Sequence, residues 1–490
     1  MKKLFFALLA LAVLAGCAAA AGEKTYRSGD FEYALLENGD AKLIRYHGDE
    51  GRVIIPNKLD GHPITAVQGN PFVFYDEMAF ITGVKDCTVS VALDHPYLAT
   101  IDGVLFGMTD RKLIYYQPSL KAANYEIPYG ITGIGNGAFL GCSSLTSVTI
   151  PDSVTSIGYE AFWGCSGLTS VTIPDGVITI WEFAFARCSG LTSVTIPDSI
   201  SNIAISTFNG CSGLTSVTIP DSVTAIGESA FAYCSGLTSV TIPDSVTSIG
   251  DCAFSNCSGL TSVTIPGSVT AIGEGAFAGC RSLASVTIPD SVTAIGDYAF
   301  ARCSSLSSVT IQDGVTTIGK VAFNRCSNLT SVTIPNSVTS IGYGAFSDCS
   351  NLTSVTIPDS VTAIGEGAFA GCRSLTSVTI PDSVSAIGDS AFSGCSSLTS
   401  VTIPDGITTI GESAFAYCSG LTSVTIPDSV TVIGDRAFDD YVNREYIPLA
   451  NLVFTVTPGS YAETWCRENG RQFVHTGVEY GDRTDWLPGR

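Results

Sequence analysis

Cysteine thiols are the most reactive side chains that recur in this sequence, and their spacing is regular. Thirteen of the seventeen cysteines follow one another at 23-residue intervals from Cys142 to Cys418. Thiols bind metals or form disulfides, yet the C-x₂-C pairs typical of zinc sites are absent. A column of small apolar side chains in fixed register indicates buried free thiols. Disulfides between neighbouring repeats are the alternative, because strand spacing would place their Cα atoms about 5 Å apart.

A column of carboxylates runs through the same repeats. It comprises Asp152, Asp175, Asp198, Asp221, Asp244, Asp290, Asp359, Asp382, Asp405 and Asp428, each directly after a proline. Stacked carboxylates could collect Ca²⁺, whereas aspartate also caps turns by bonding its own backbone. Exposed charges about 5 Å apart repel by only ~0.8 kcal/mol in water, so the column needs no metal. We therefore expect turn caps and no metal or cofactor.

Catalytic constellations are missing from the sequence. All four histidines lie outside the regular repeats, at His47, His62, His95 and His475, and no H-E-x-x-H or G-x-S-x-G pattern occurs. No repeat serine therefore has a histidine in its own repeat to act as its base. Repeated carboxylates are a poor model for a glycosidase pair, which is needed only once. The sequence predicts a protein that is not an enzyme.

The net charge narrows the class of partner. The formal charge is −21 at pH 7 and the sequence pI is about 4.4. Nucleic-acid binding depends on lysine and arginine neutralising phosphates, so an acidic chain of this kind is not expected to bind DNA or RNA.

A 23-residue repeat determines the expected architecture. It reads approximately I-P-D-S-V-T-x-I-G-x-x-A-F-x-x-C-S-x-L-T-S-V-T and begins fourteen times between Ile127 and Ile426. Such short units bury their apolar face only by stacking on neighbours, which predicts a β-rich solenoid. The alternation in Ser170 to Ile173 indicates a strand with Val171 and Ile173 facing inward. The I-G glycines, such as Gly158, Gly227 and Gly250, are expected to have positive φ at a corner of each coil.

The repeat also sets the domain boundaries. We expect a signal and tether start at 1–22, an N-terminal cap at 23–52, degenerate repeats at 53–125, the regular array at 126–440 and a C-terminal cap at 441–490. Alternating segments on both sides of Asn38-Gly39 predict a hairpin in the first cap. A helix is expected from Ser460 to Asn469, between Pro458-Gly459 and Gly470.

The N-terminal segment has the form of a bacterial export signal. Lys2 and Lys3 precede an apolar run of 13 residues, too short for a membrane span of roughly 20 residues. The run ends in Leu14-Ala15-Gly16-Cys17, which resembles a lipobox, so Cys17 is the expected site of lipidation. Cleavage within the following alanines, giving a free secreted protein, is the alternative.

Variation between repeats is concentrated at the corners, around I-G and just after A-F. Large side chains occur there at Tyr159, Trp163, Arg187, Tyr233, Tyr298, Arg302, Arg325, Tyr343 and Tyr417, with Trp181 in place of a glycine and Arg373 just after Cys372. Tryptophan, tyrosine and arginine dominate binding hot spots, so these residues form the candidate binding surface. The alternative is that corner positions are simply unconstrained.

The outward strand positions differ, because they repeat the same hydroxyl side chains from Ser147 and Thr149 to Ser423 and Thr425. A uniform face is a poor source of specificity for one globular protein. It would suit a repetitive ligand such as a glycan, or it is a solvated face of residues with good β-propensity.

Together these motifs resemble the BspA-type bacterial leucine-rich-repeat surface antigens. The resemblance rests on the L-x-x-V-x-I strand, the I-G-x-x-A-F element and the cysteine three residues before each strand leucine. Flanking segments such as Ile101-Asp102-Gly103-Val104-Leu105-Phe106 and Pro458-Gly459-Ser460-Tyr461-Ala462-Glu463 extend it. It implies a leucine-rich-repeat fold exposed at the bacterial cell surface, an adhesive or binding role, and no enzymatic activity.

We therefore expect an exported, lipid-anchored adhesin or protein-binding scaffold whose partner is a protein or glycan on a host or neighbouring cell. A glycan-binding or purely structural coat protein is the alternative function.

Overall fold

The computed structural model describes residues 23–75, 81–120, 122–442 and 445–476. Cys17 and the export signal lie outside these residues. The chain divides into two compact units, Met1–Val263 and Thr264–Arg490, which are described separately below. Each unit contains a parallel β-solenoid whose neighbouring strands are offset by 23 residues. The predicted solenoid and its period are confirmed.

In the first unit each regular coil contributes three hydrogen-bonded segments. A Ser-Val-Thr strand pairs in parallel register with the next, as Val171 does with Val194. A two-residue strand forms a second ladder, as Ile157 does with Ile180. In the third segment, the Phe162 N–H donates to the Ala184 carbonyl at 2.7 Å. Each coil is thus tied to the next along three lines of backbone hydrogen bonds.

The strands of the two arrays follow these two series. Up to the division, the Ser-Val-Thr strands are Ser147–Thr149, Ser170–Thr172, Ser193–Thr195, Ser216–Thr218, Ser239–Thr241 and Ser262–Thr264, and the short strands are Gly133–Ile134, Ser156–Ile157, Thr179–Ile180, Asn202–Ile203, Ala225–Ile226 and Ser248–Ile249. In the second unit they are Ser285–Ile288, Ser308–Ile311, Ser331–Thr333, Ser354–Thr356, Ser377–Thr379, Ser400–Thr402 and Ser423–Ile426, with Ala271–Ile272, Ala294–Ile295, Thr317–Ile318, Ser340–Ile341, Ala363–Ile364, Ala386–Ile387, Thr409–Ile410 and Val432–Ile433.

A phenylalanine column fills the core beside the third segment. In the second unit the rings of Phe300 and Phe323 are fully buried and stack with centroids 5.4 Å apart and planes 4° from parallel. Neighbouring pairs in this column repeat the geometry, because the coil spacing sets the ring spacing.

The repeat cysteines form a second buried column. The described cysteines are free, and the Cys303 thiol donates to the Phe277 carbonyl of the preceding coil at 3.2 Å. Burial raises the pKa of Cys303 to about 12. Cys303 is therefore a neutral thiol that bonds to backbone, as expected of a buried free cysteine. Cys211, Cys257, Cys349 and Cys418 repeat this arrangement.

The N-terminal cap contains the expected hairpin. Phe31–Leu35 and Ala41–Tyr46 pair antiparallel around Asn38-Gly39, and Thr25–Ser28 adds a third strand. The remaining strands before the array are Arg52–Ile55, Lys58–Leu59, His62–Val67, Val73–Tyr75, Ile81–Val84, Thr88–Val91, Leu98–Ile101, Val104–Gly107, Lys112–Tyr115 and Asn124–Glu126. Lys112–Tyr115 already pairs in parallel with Gly133–Ile134, so the ladder begins before the sequence period becomes regular.

The C-terminal cap contains the predicted helix, α1, at Tyr461–Glu468. The Ser460 side chain caps it by accepting from the Glu463 N–H, and Asn469 ends it. Strands Val453–Val456 and Gln472–His475 extend the Ser-Val-Thr ladder beyond the repeat, whereas Asp439–Val442 and Glu445–Pro448 form a separate hairpin. None of the described helices is long and apolar enough to cross a bilayer.

The prediction for the I-G glycines is wrong in one respect. Gly158, Gly227 and Gly250 do not have positive φ; instead, their Cα atoms lie against the backbone of the preceding coil. A Cβ on Gly250 would come within 2.8 Å of the Glu228 nitrogen. Glycine is needed there for close approach, and the left-handed backbone occurs at two neighbouring columns.

Candidate functional site

Every regular coil has a left-handed residue directly before its cysteine, and we call this set the corner column. It comprises Gly141, Gly164, Arg187, Gly210, Tyr233 and Asn256 in the first unit, and Gly279, Arg302, Arg325, Asp348, Gly371, Gly394 and Tyr417 in the second, with φ between 58° and 74°. A second left-handed residue, which includes Phe183 and Tyr298, precedes the alanine of A-F.

The left-handed backbone serves the ladder between coils. The Arg187 N–H donates to the Asn209 carbonyl at 2.6 Å, and the Tyr233 N–H donates to the Ser255 carbonyl at 2.7 Å. Glycine adopts this conformation freely, whereas a residue with a Cβ pays roughly 1 kcal/mol or more. Arginine and tyrosine therefore occupy positions where glycine, which six other coils have, would adopt the backbone conformation at a lower free energy.

In the first unit two candidate side chains are in contact and two others are exposed. The Arg187 guanidinium lies over the Trp163 ring, 5.1 Å from its centroid. Trp181 is 51% exposed and Tyr233 is 58% exposed. Ile178, directly before the short strand Thr179–Ile180, is also exposed, and the sequence analysis missed it because other coils have a polar residue in its column. The structure brings Trp163 and Arg187 together.

Tyr159 does not belong to this surface. It is 4% exposed and packs edge-on against Phe183 of the next coil, with ring centroids 5.6 Å apart. Tyr343 occupies the same column in the second unit but is 51% exposed, because Gly367 stands where Phe183 would be and supplies no ring. A residue of the neighbouring coil thus decides whether this tyrosine is available to a partner.

In the second unit the candidates occur along the corner rather than in one group. Arg302, Arg325 and Arg373 are exposed, while Tyr298 is half-buried. The Arg325 Nε lies 3.3 Å from the Asp348 carboxylate on the next coil, an exposed pair of small energetic value. Arg281, missed by the sequence analysis, occupies the column of Arg373 and is also exposed.

Tyr417 belongs to an aromatic cluster that the sequence analysis missed. The Arg436 guanidinium lies 4.1 Å from the centroid of Tyr446, whose ring is 4.9 Å from that of Tyr441. Burial and a hydrogen bond with Tyr446 raise the pKa of Tyr417. Tyr441 and Tyr446 lie on the hairpin that follows the array, so no repeat pattern pointed to them. Their aromatic content alone was the available signal.

The Ser-Val-Thr face is uniform by comparison. Ser193 and Thr195 are exposed and lie in register with Ser216 and Thr218. The threonine before each strand uses its hydroxyl within the solenoid, as Thr192 does when it donates to the Thr169 carbonyl at 3.1 Å. The face therefore offers repeated rows of hydroxyls.

The aspartate column lies on exposed turns. In the coil containing Asp175 the turn is closed by backbone, with the Val177 N–H donating to the Pro174 carbonyl at 3.0 Å. The serine next to the aspartate bridges coils, as Ser222 does by donating to the Ile200 carbonyl at 2.8 Å. Among the described residues no group of three His, Cys, Asp or Glu side chains is placed to hold a metal ion.

Two family models match the sequence. The model described as a BspA type leucine rich repeat region (6 copies) matches residues 112–238, 225–353 and 340–464. A prokaryotic membrane lipoprotein lipid attachment site matches residues 1–18, which include Cys17. No curated protein matches the chain.

A solved structure shows the same kind of fold. A leucine-rich repeat protein from Bacteroides ovatus is 27% identical, with a TM-score of 0.58, over 79% of this chain and 99% of its own. A leucine rich cell surface protein from Faecalibacterium prausnitzii is 29% identical, with a TM-score of 0.40, over 91% of this chain and 98% of its own. The fold, the cysteine and phenylalanine columns and the family match over 112–464 lead to one assignment: this chain belongs to the BspA-type leucine-rich repeat family.

Proposed function

We propose that this protein is a lipid-anchored adhesin or protein-binding scaffold of the bacterial cell surface, which acts without catalysis. The observation that carries the proposal is the set of large side chains at left-handed corner positions. Arg187, Tyr233, Arg302, Arg325 and Tyr417 all occupy a conformation that favours glycine. Side chains kept at a conformational cost are a sign of function, and their types are those of binding hot spots.

The N-terminal residues support the location. The lipid attachment site matches residues 1–18, and Cys17 follows Leu14-Ala15-Gly16. Acylation by two or more chains would hold the protein on a membrane stably, whereas one chain binds reversibly. The solenoid would then be displayed beyond a short tether.

The role of the corner column in binding can be tested with substitutions that keep the fold. A variant carrying Arg187→Gly, Tyr233→Gly, Arg302→Gly, Arg325→Gly and Tyr417→Gly introduces the residue that neighbouring coils already have. Bacteria displaying the full chain should adhere to epithelial monolayers or immobilised host surface proteins, and this variant should adhere at least tenfold less.

The matched control changes five exposed strand residues, Ser193→Ala, Ser216→Ala, Ser308→Ala, Ser354→Ala and Ser400→Ala. This control should adhere like the parent, with equal surface amounts checked by antibody. Equal adhesion of the glycine variant and its parent would refute a role for the corner column in adhesion.

Glycan binding is the second candidate function, and the in-register hydroxyl rows favour it. A glycan array probed with the full chain would separate the two functions, because glycan binding should fall in the serine control variant and persist in the glycine variant.

The anchor has its own test. The parent protein should incorporate labelled palmitate and partition with membranes, whereas Cys17→Ser should be found soluble in the medium or periplasm. A parent chain that begins near Ala21 and is soluble would show that the protein is secreted without a lipid.

A further inference from the structure

The first coil contains the strands Arg52–Ile55 and His62–Val67, and the N-terminal cap pairs with only one of them. Strand His62–Val67 pairs in parallel with Ala41–Tyr46 of the cap. Strand Arg52–Ile55 pairs with Thr88–Val91 of the following coil, and no other described strand pairs with it. One edge of Arg52–Ile55 is therefore left without a neighbouring strand.

The alternation of backbone groups shows what this edge presents. The Gly51 carbonyl accepts from the Thr88 N–H and the Ile55 carbonyl accepts from the Ala92 N–H, both at 2.9 Å. Because successive residues of a strand point their main-chain groups to opposite sides, Arg52 and Ile54 direct theirs away from the following coil. Within the described residues these groups make no hydrogen bond. They form two donors and two acceptors with the spacing of a β-strand.

A cleft of about 570 Å³ lies beside this edge, between the cap and the strand. Its walls include Asp30, Phe31 and Tyr46 from the cap and Arg52, Ile54 and Lys58 from the coil. The segment Arg52-Val53-Ile54-Ile55-Pro56 has the form of the repeat Ser-Val-Thr-Ile-Pro, with Ile54 in the threonine position. Ile54 is 61% exposed, so an apolar side chain stands next to the unpaired backbone.

A polypeptide in extended conformation presents donors and acceptors that alternate at the interval of Arg52 and Ile54. A strand of four residues is long enough for one short peptide segment, and Pro56 ends it by removing the next donor. Charges of both signs, on Asp30 and Glu50 and on Arg52 and Lys58, line the cleft, so flanking residues of either charge can be paired. Ile54 would contact an apolar side chain of the added strand.

We propose that Arg52–Ile55 is a docking edge at which an extended segment of a partner protein adds as a β-strand. The main-chain hydrogen bonds supply affinity and Ile54 supplies a preference for an apolar residue, as in other cases of strand addition. This site is separate from the corner column, and the proposal does not depend on the function of that column.

The edge can be blocked by one substitution. Ile54→Pro removes the N–H that points away from the following coil and leaves the edge that pairs with Thr88–Val91, whereas Ile54→Thr restores the array residue and keeps this N–H. The probe is a fluorescein-labelled synthetic peptide that copies residues 168–173, Leu-Thr-Ser-Val-Thr-Ile, a strand that pairs in parallel with its neighbours in the array. The full chain should bind it, Ile54→Pro should bind at least tenfold more weakly, and Ile54→Thr should bind with a loss of less than tenfold.

Two further measurements keep the result interpretable if Ile54→Pro folds poorly. The same peptide with N-methyl groups on alternate amides should bind at least tenfold more weakly to the unaltered chain. Hydrogen exchange should slow at the Arg52 and Ile54 amides when the unmodified peptide is added.

Absence of peptide binding at millimolar concentration, or binding without protection of residues 52–55, would overturn the proposal. So would self-association of the unaltered chain that Ile54→Pro abolishes, because the edge would then be occupied by a second copy.

Discussion

The Ser-Val-Thr face and the corner column come from the same 23-residue repeat, yet the first is nearly uniform and the second varies from glycine to arginine and tyrosine. Conformation alone predicts the reverse. Exposed strand positions such as Ser308 and Ser354 tolerate many residues, whereas left-handed positions such as Arg302 and Arg325 favour glycine. The variation therefore does not mark the least constrained positions, which argues against the interpretation of the corners as merely unconstrained.

The first prediction concerns the buried cysteine column beneath both regions, whose contribution to stability should depend on pH. Burial raises the pKa to about 12 for Cys211, Cys257, Cys303, Cys349 and Cys418. An unfolded thiol ionises near pH 8.5, so above that pH the unfolded state binds fewer protons than the folded state. Stability is full below about pH 8.5 and should fall by roughly 1 kcal/mol per pH unit for each thiol as pH rises towards 12.

Urea unfolding followed by circular dichroism in reductant at pH 7, 8.5 and 10 measures this loss. Cys303→Ala should give a shallower decline. A midpoint that is the same at pH 7 and pH 10 would contradict buried neutral thiols.

The second prediction concerns Phe300, two residues from the corner residue Arg302. Its ring stacks between Phe277 and Phe323 with centroid distances of 5.3 and 5.4 Å. Phe300→Ala should destabilise its coils by about 3 to 5 kcal/mol, because it leaves a cavity in a fully buried column. Hydrogen exchange should show the loss near residues 277–323 first, since contacts in a solenoid are between neighbouring coils. Uniform loss across the chain would count against this view.

The third prediction distinguishes the two kinds of glycine. Gly250→Ala should cost about 1 to 3 kcal/mol, because the new Cβ meets the backbone of the preceding coil. Gly394→Ala, at φ 74° with its nearest backbone atoms at 3.6 Å, should cost about 1 kcal/mol from conformation alone. Urea midpoints compare the two variants, and a larger cost at Gly394 would reverse the assignment of the close-approach column.

The smallest effect is expected at the corner itself. Arg302→Gly relieves a left-handed backbone but gives the unfolded chain more freedom, so the free energy of unfolding should change by less than about 1 kcal/mol. The hydrogen bond from residue 302 N–H to the Asn324 carbonyl should remain. A loss above about 2 kcal/mol in urea unfolding would show that the arginine side chain is structural.

Much of the fold could be predicted from local pattern. The period predicted the stacking of coils, Asn38-Gly39 predicted the hairpin and the capping signals around Ser460 predicted the helix. Each of these features depends on residues close in sequence. The sequence analysis predicted positive φ for the I-G glycines, but they are needed for close approach to the preceding coil. Both situations favour glycine, and only the structure separates them.

The candidate site was less predictable, because exposure depends on the next coil. Tyr159 and Tyr343 share a column, but Phe183 buries the first and Gly367 leaves the second in solvent. The Tyr441–Tyr446 pair lies beyond the last repeat, so no repeat pattern pointed to it. The strand Arg52–Ile55 could be recognised as a degenerate repeat, but which of its edges the cap leaves open depends on strand pairing that the repeat does not encode.

The backbone ladder of the corner column has a consequence for how such a chain can change in length. In the second unit each coil offers the same donors on one side and the same acceptors on the other, as residues 302 and 324 and residues 325 and 347 do. Deleting or duplicating any whole number of 23-residue copies within this array would bring matching backbone donors and acceptors together again. Gene segments of 69 nucleotides are thus interchangeable modules, and recombination can lengthen, shorten or reorder the corner residues while each coil still pairs with the next.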